Sequence, residues 1–319
     1  MTSLWEKRMS SKILVLGSSN VDFVLRIPYF HEPGETLQSE DVVTVFGGKG
    51  ANQAIAAKRL GAPVCFATKL GDDHYGDTYR WYLRRNGLDG KYFLSGRELT
   101  TGMAFIELNP KGQNRIIVSP GANGSFSEKD LKNLNFLWKD VRVFVTQLEI
   151  PLPTVRMGLK IAKKQGVITV LNPAPATRLP SEFLDQVDFL VPNELEAQIL
   201  SGIKMKTFHD LTKIGDKLLS LGAKNVVITL GSKGLYFKSK EQAFRMRAFR
   251  VETVDSTAAG DAFVGALAWC LSNGTPIKRA LTIASGAGAL ATMKLGAQPS
   301  LPLRKELERF LSKIVRNTS

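Results

Sequence analysis

From residue 141 onward the chain alternates short apolar runs with amphipathic stretches, and few folds accept that order. Residues 141–148, 167–171, 187–191 and 225–230 are mainly apolar and of strand length, whereas 155–165, 194–200 and 211–221 carry apolar residues at helical spacing. Continuously apolar strands have to be covered on both faces, which implies a mostly parallel sheet packed between helices. The earlier chain adds a strand at 13–16 ending at Gly17, a helix at 51–60 stopped by Gly61, a strand at 64–70 and a helix at 77–85 closed near Gly87. Further helices are expected at 261–271, 277–293 and 303–314.

Two segments break the alternation. Extended runs at 24–27 and 42–46 flank the turn His31-Glu32-Pro33-Gly34, and 103–108 with 115–118 reads as a hairpin across Asn109-Pro110-Lys111-Gly112. Segments 22–46 and 98–119 are therefore expected to form a small separate sheet. That sheet is placed to close over the C-terminal ends of the parallel strands, where open α/β sheets bind ligands.

Composition narrows the possible classes. The 319 residues are 44% hydrophobic, enough for a substantial core. No run approaches the roughly 20 apolar residues that span a bilayer, and residues 1–12 lack the apolar segment of a secretory signal. Cys65 and Cys270 each stand in an apolar stretch, as reduced thiols of a cytoplasmic protein do. On that reading the sequons at Asn123, Asn273 and Asn317 are chance matches. The net charge of +14 raises nucleic-acid binding as a function. The basic residues are dispersed, however, with pairs at Arg84–Arg85, Lys163–Lys164 and Arg304–Lys305 and no interleaved aromatic platform. No nucleic-acid or membrane partner is expected, and the charge reads as a solvated surface that attracts anionic substrates. His31, His74 and His209 lack zinc-ligand spacing, and Gly286-Ala287-Gly288-Ala289-Leu290-Ala291 lies within a helical pattern instead of after a strand.

The chemistry concentrates in five places. In Val254-Asp255-Ser256-Thr257-Ala258-Ala259-Gly260-Asp261 small residues lead into a helix, so the amides of Ala258, Ala259 and Gly260 are expected to point outward as an anion site. Asp261 beside them is a candidate base, or alternatively a helix cap. Phe46-Gly47-Gly48-Lys49-Gly50-Ala51-Asn52-Gln53 is no Walker A loop but allows close backbone approach to a polar ligand, with Lys49 and Asn52 as donors. In Gly17-Ser18-Ser19-Asn20-Val21-Asp22, Asn20 and Asp22 fall on one side of an extended chain, and a carboxylate there can accept from two neighbouring hydroxyls. Asn193 and Glu196 share a face at a helix start, as a cap or as a site for hydrated Mg²⁺. Thr229-Leu230-Gly231-Ser232-Lys233-Gly234 is a strand ending in a glycine loop, either a plain turn or one with room for a nucleotide's phosphate or ribose.

In this order the motifs resemble the ribokinase (pfkB-type) family of sugar kinases, over nearly the whole chain. The Phe46–Gln53 and Asp255–Asp261 segments look like its two signatures, and Asn193-Glu194-Leu195-Glu196 like its N-x-x-E motif. The resemblance implies one ribokinase-like α/β domain over residues 1–319, with a central mostly parallel sheet, flanking helices and a β-sheet lid that pairs two protomers as a homodimer. It further implies ATP-dependent phosphorylation of D-ribose at the 5-hydroxyl. Asp261 is then the base, with the amides of Ala258, Ala259 and Gly260 as anion hole. Asn20, Asp22, Gly48, Lys49, Asn52, Glu149 and Asp261 match ribose-contacting positions. Asn193, Thr229, Gly231, Ser232, Gly234, Ala259, Gly260 and Ser285 fall to ATP. Asn193 and Glu196 hold Mg²⁺ through water. Asp255, Thr257, Ala291, Lys294, Gly296 and Ser300 hold an activating K⁺. Ala258 departs from many family members, which carry Gly there. The competing readings are another pfkB-type kinase, acting on 2-deoxyribose, fructose or a nucleoside, and a non-catalytic sugar-binding regulator.

Overall fold

The computed structural model describes residues 11–317; the basic extension ahead of Lys12 falls largely outside them. The strands are β1 (Lys12–Leu16), β2 (Asn20–Arg26), β3 (Asp41–Gly47), β4 (Val64–Gly71), β5 (Phe93–Gly96), β6 (Gly102–Leu108), β7 (Asn114–Ser119), β8 (Val141–Thr146), β9 (Ile168–Leu171), β10 (Phe189–Leu190), β11 (Asn225–Thr229), β12 (Leu235–Ser239) and β13 (Ala243–Met246). A nine-stranded sheet runs in the order β13-β12-β11-β10-β9-β8-β1-β4-β5. Its pairs are parallel from β5 to β11, and β12 and β13 add antiparallel strands at one edge.

Alternation within one strand divides the core. Ile13 and Val15 of β1 enter the cluster that holds the helices Lys49–Arg59, Ala259–Ser272 and Ile277–Thr292. Leu14 and Leu16 enter the cluster of Leu152–Lys164 and Asp210–Ser220 on the opposite face. With both faces covered, the strands lose the in-out polarity pattern of a half-exposed sheet, as their sequences indicated.

The second sheet runs β3-β2-β6-β7. β6 and β7 form the expected antiparallel hairpin, whereas β2 pairs antiparallel to β3 and parallel to β6. It is thus a mixed sheet and not two hairpins side by side. It is rooted where β1 passes into β2 and where β3 passes into the helix Lys49–Arg59, so its base lies at the C-terminal edge of the parallel strands.

Several boundaries differ from the sequence reading. The helix expected at 77–85 starts at His74, because Asp73 Oδ1 accepts from Gly76 N at 2.7 Å and caps it earlier. The strand expected at 187–191 contracts to Phe189–Leu190. The sequon residue Asn123 is 1% exposed, so it is a structural residue of the folded chain. Among the described residues no helix is long and apolar enough to cross a membrane.

Candidate active site

The site assembles where the parallel strands end. Asn20 and Asp22 open β2, Glu149 follows β8, Asn193 follows β10, and the glycine loop follows β11. Gly47, Gly48 and Lys49 join the small sheet to the helix Lys49–Arg59. Gly48 has φ 88°, and a Cβ there would fall 2.7 Å from Asn20 N, so only glycine lets this turn lie against β2. A Cβ at Gly47 would fall 1.9 Å from Asp22 Oδ2, which places that carboxylate against the loop. The Gly47 carbonyl accepts from the buried Tyr79 hydroxyl, which in turn accepts from Gln298 Nε2 at 2.7 Å.

Asp261 lies in the first turn of the helix Ala259–Ser272 and is 7% exposed. Asn52 Nδ2 donates to its Oδ2 and Gln53 Nε2 to its Oδ1, each at 2.9 Å. Gln53 is itself held, donating to Asn172 Oδ1 at 3.0 Å and accepting from Gln147 Nε2 at 2.7 Å. Ala258 begins the helix in the left-handed conformation, with φ 59°. Among the described residues the amides of Ala258 and Gly260 meet no protein acceptor, while that of Ala259 makes a long bond of 3.3 Å back to Ser256 O. A side chain at Gly260 would enter open space, so the cradle in front of the helix start is clear. Two of the three amides expected at the anion site are thus free of protein acceptors among the described residues, and that of Ala259 is partly diverted.

Charge is unbalanced here. Lys49 is surrounded by Asp261, Glu149, Glu196 and Asp22; burial lowers its pKa, but the four carboxylates outweigh burial and raise it. Burial pushes Asp22 up to about 7, helped by Glu149 and Asp261 and opposed by Lys49. Burial also raises Asp261, against the pull of Lys49, Asn52 and Gln53. Glu149 Oε2 accepts from the Ser18 hydroxyl and, at 3.0 Å, from the Lys49 amide. All seven residues expected on the sugar side thus gather in one site.

Asn193 and Glu196 form a reciprocal cap. Glu196 N donates to Asn193 Oδ1, and Asn193 N and Nδ2 donate to the two Glu196 oxygens, all at 2.8 Å. The capping reading stands, and burial raises the pKa of Glu196 against the Asn193 backbone bond, with Lys49 pulling it down and Asp261 pushing it up. Among the described residues no cluster of three or more carboxylate, imidazole or thiol groups is set to bind a metal. One carboxylate with both oxygens already accepting fits a hydrated Mg²⁺ held through water. Asn193 bridges to Thr229, which brings the loop with Gly231, Ser232 and Gly234 alongside. Ser285 stands on the helix Ile277–Thr292, one turn ahead of Gly288, where a Cβ would come 3.2 Å from Ala259 O.

Asp255 clamps the loop before Ala258. Its Oδ1 accepts from Thr257 N at 2.8 Å and Thr257 Oγ1 at 2.6 Å, and its Oδ2 from Gly296 N at 2.9 Å. Burial would raise its pKa, but these bonds prevail and lower it. Asp255, Thr257 and Gly296 are therefore together. Ala291 and Ser300 are buried nearby in the chain, and the Lys294 ammonium turns away to Glu306 at 2.7 Å. Lys294 is left with only its backbone carbonyl to offer. An oxygen set built around carbonyls suits a large monovalent cation in its donor type.

Gln53, Asn172, Gln147 and Asn123 join the site through hydrogen bonds that the local sequence does not announce. Gln53 sits inside a glycine-rich motif and was within reach of that reading; Asn123 carries no local signal.

A buried carboxylate beside open helix-start amides, facing a pocket of carboxylates and amides, defines a site for phosphoryl transfer to a hydroxylated small molecule. Residues 10–304 match the model of the pfkB family carbohydrate kinases. The chain is 41% identical to a ribokinase of Staphylococcus aureus over 94% of its length and all of that protein. It is 34% identical to a deoxyribokinase of Salmonella typhi, covering 94% of this chain and 98% of that one. A structure of Arabidopsis thaliana ribokinase complexed with ribose and ATP superposes with a TM-score of 0.87 at 32% identity, over 95% of this chain and 99% of that chain. The chain belongs to the pfkB family of carbohydrate kinases.

Proposed function

We propose that this chain transfers the γ-phosphoryl group of ATP to the 5-hydroxyl of D-ribose, giving ribose 5-phosphate and ADP. The observation that carries the reading is Asp261, a buried carboxylate at a helix start with open amides, oriented by the helix that begins at Lys49. Asp261 accepts the proton of the 5-hydroxyl as that oxygen attacks the γ-phosphorus in line and ADP leaves. The amides of Ala258 and Gly260, the positive helix end and Lys49 take up the charge of the group in flight. Asn20, Asp22, Gly48, Asn52 and Glu149 hold the sugar hydroxyls. A neutral polyol suits this pocket, since an already phosphorylated sugar would meet four carboxylates against one ammonium.

Thr229, Gly231, Ser232, Gly234 and Ser285 border the nucleotide. Mg²⁺ neutralises phosphate charge when bound, held through water by Asn193 and Glu196. Asp255, Thr257, Ala291, Lys294, Gly296 and Ser300 would hold a K⁺ ion, several through backbone carbonyls, and such an ion would supply positive charge near the start of the helix Ala259–Ser272. The small sheet serves as lid and excludes water from the transfer. Val42, Val43, Phe105, Ile116, Ile117 and Val118 are exposed on it, and pairing of two protomers there covers them and the edge strand β7. The protein works in the cytoplasm, where its buried thiols Cys65 and Cys270 stay reduced.

ADP release from ATP and Mg²⁺ is to be measured with D-ribose, 2-deoxyribose, fructose and adenosine, each with and without K⁺. Preference for ribose and stimulation by K⁺ are expected. Preference for another sugar would keep the chemistry and reassign the pocket. Sugar binding without turnover by folded protein would leave a non-catalytic regulator. Sedimentation of Ile117→Lys against the parent tests the lid pairing, with loss of the dimer expected.

A further inference from the structure

We propose that Asn123 is a positioning residue that fixes the Asn20 side chain as a hydrogen-bond donor toward the sugar; this rests on the kinase reading above. Asn123 lies in the short helical turn Gly121–Gly124, where β7 of the lid returns to the large sheet. Its amide orientation is forced by the backbone of Ser19. Asn123 Oδ1 accepts from Ser19 N at 3.0 Å, and Nδ2 donates to Ser19 O at 3.0 Å. A flipped amide would set donor against donor and acceptor against acceptor at both contacts. The second Nδ2 hydrogen then has one direction left, and it meets Asn20 Oδ1 at 2.7 Å.

The consequence falls on Asn20. Its oxygen is held toward Asn123, both residues are buried, and Asn20 Nδ2, on the opposite side of the amide, donates to no protein acceptor among the described residues. Asn20 stands two residues before Asp22 on β2, so the two side chains share a face. The pocket therefore offers a donor at Asn20 beside an acceptor at Asp22. A sugar hydroxyl at Asn20 must accept there and send its own hydrogen elsewhere, which is a directional demand that neither motif conveys. Crowding keeps the arrangement single: a Cβ at Gly102 would fall 2.1 Å from Asn123 Nδ2 and 2.5 Å from Asn20 Oδ1.

The test is Asn123→Asp, nearly isosteric but without the donor. The new carboxylate draws Asn20 Nδ2 toward itself and turns the Asn20 oxygen to the pocket. Ribose KM, and ribose Kd by calorimetry, are expected to rise about 5- to 100-fold, the range for one mismatched buried hydrogen bond. ATP KM should stay within about threefold and kcat should change far less than KM, because Asn123 touches neither Asp261 nor the anion loop. A parallel rise in ATP KM, or unchanged ribose binding, would overturn the inference. Should the variant fail to fold, the side-chain amide signals of ¹⁵N-labelled parent protein decide: those of Asn20 must move on adding ribose while those of Asn123 stay in place, and the reverse would overturn it. A parent protein that binds no ribose would instead bring down the kinase reading itself.

Discussion

Asn52 Nδ2 and Asp261 Oδ2 lie 2.9 Å apart although 209 positions separate them in the chain. The contact joins the helix Lys49–Arg59 to the helix Ala259–Ser272. Asp261→Asn removes the base and keeps the size of the side chain. kcat is expected to fall at least about 10²-fold, with a cooperative melt retained. Near-parental turnover of the variant would remove Asp261 from the role of base.

The raised carboxylates give stability an unusual pH dependence. Asp22, raised to about 7, binds its proton more readily in the folded than in the unfolded chain. Its contribution therefore strengthens as pH falls from about 7 toward 4. Asp255 and Asp188 are lowered, and what they contribute is lost only below the unfolded carboxylate range near pH 4. The ligand-free protein should melt higher at pH 5.5 than at pH 8, and Asp22→Asn should flatten that difference. Calorimetric melts of both proteins across the window check it.

Lys49 is placed to control the base electrostatically. It pulls the pKa of Asp261 down against burial. Lys49→Met removes that opposition, so Asp261 ionises at higher pH and the acid limb of the kcat profile moves upward. An acid limb that stays in place, measured with saturating sugar and ATP, would mean that Lys49 acts only on substrate.

Much of this was legible in the chain, for reasons that particular residues make plain. The buried inner residues of β1, β8, β9 and β11 are mainly apolar because both faces are covered, and runs such as Ile13–Leu16, Val143–Val145 and Val226–Ile228 say so. β5, β12 and β13 leave little sequence signal: Phe93–Gly96 is four residues long, and Leu235–Ser239 follows a glycine loop and pairs antiparallel with β11 and with the edge strand β13, with no helix to announce it. In the site, the glycines and charges of the loops were readable because close approach and charge each require particular residue types. Gln53 to Asp261 and Asn123 to Asn20 were not, since amide pairs 208 and 103 positions apart leave no local pattern. Asp255 was legible as a residue but not as the clamp on Thr257 and Gly296.

Ala258 offers a last test, at the left-handed start of the helix Ala259–Ser272. It holds φ 59° and ψ 8° at the helix start, a left-handed conformation that costs an L-residue with a Cβ roughly 1–2 kcal/mol. Glycine adopts it freely but surrenders about 0.5–1 kcal/mol of backbone freedom on folding. Ala258→Gly should therefore stabilise by up to about 1 kcal/mol, a rise in Tm of a few degrees at most. The backbone amide of residue 258 keeps its place, because Thr257 remains tied to Asp255 and Gly296 remains behind it. Turnover should accordingly stay within about threefold of the parent, since the charge on the group in flight is met by main-chain donors and not by the alanine methyl. A higher Tm with much lower turnover would mean that the methyl stiffens the anion loop, and that the strain at Ala258 is retained for catalysis.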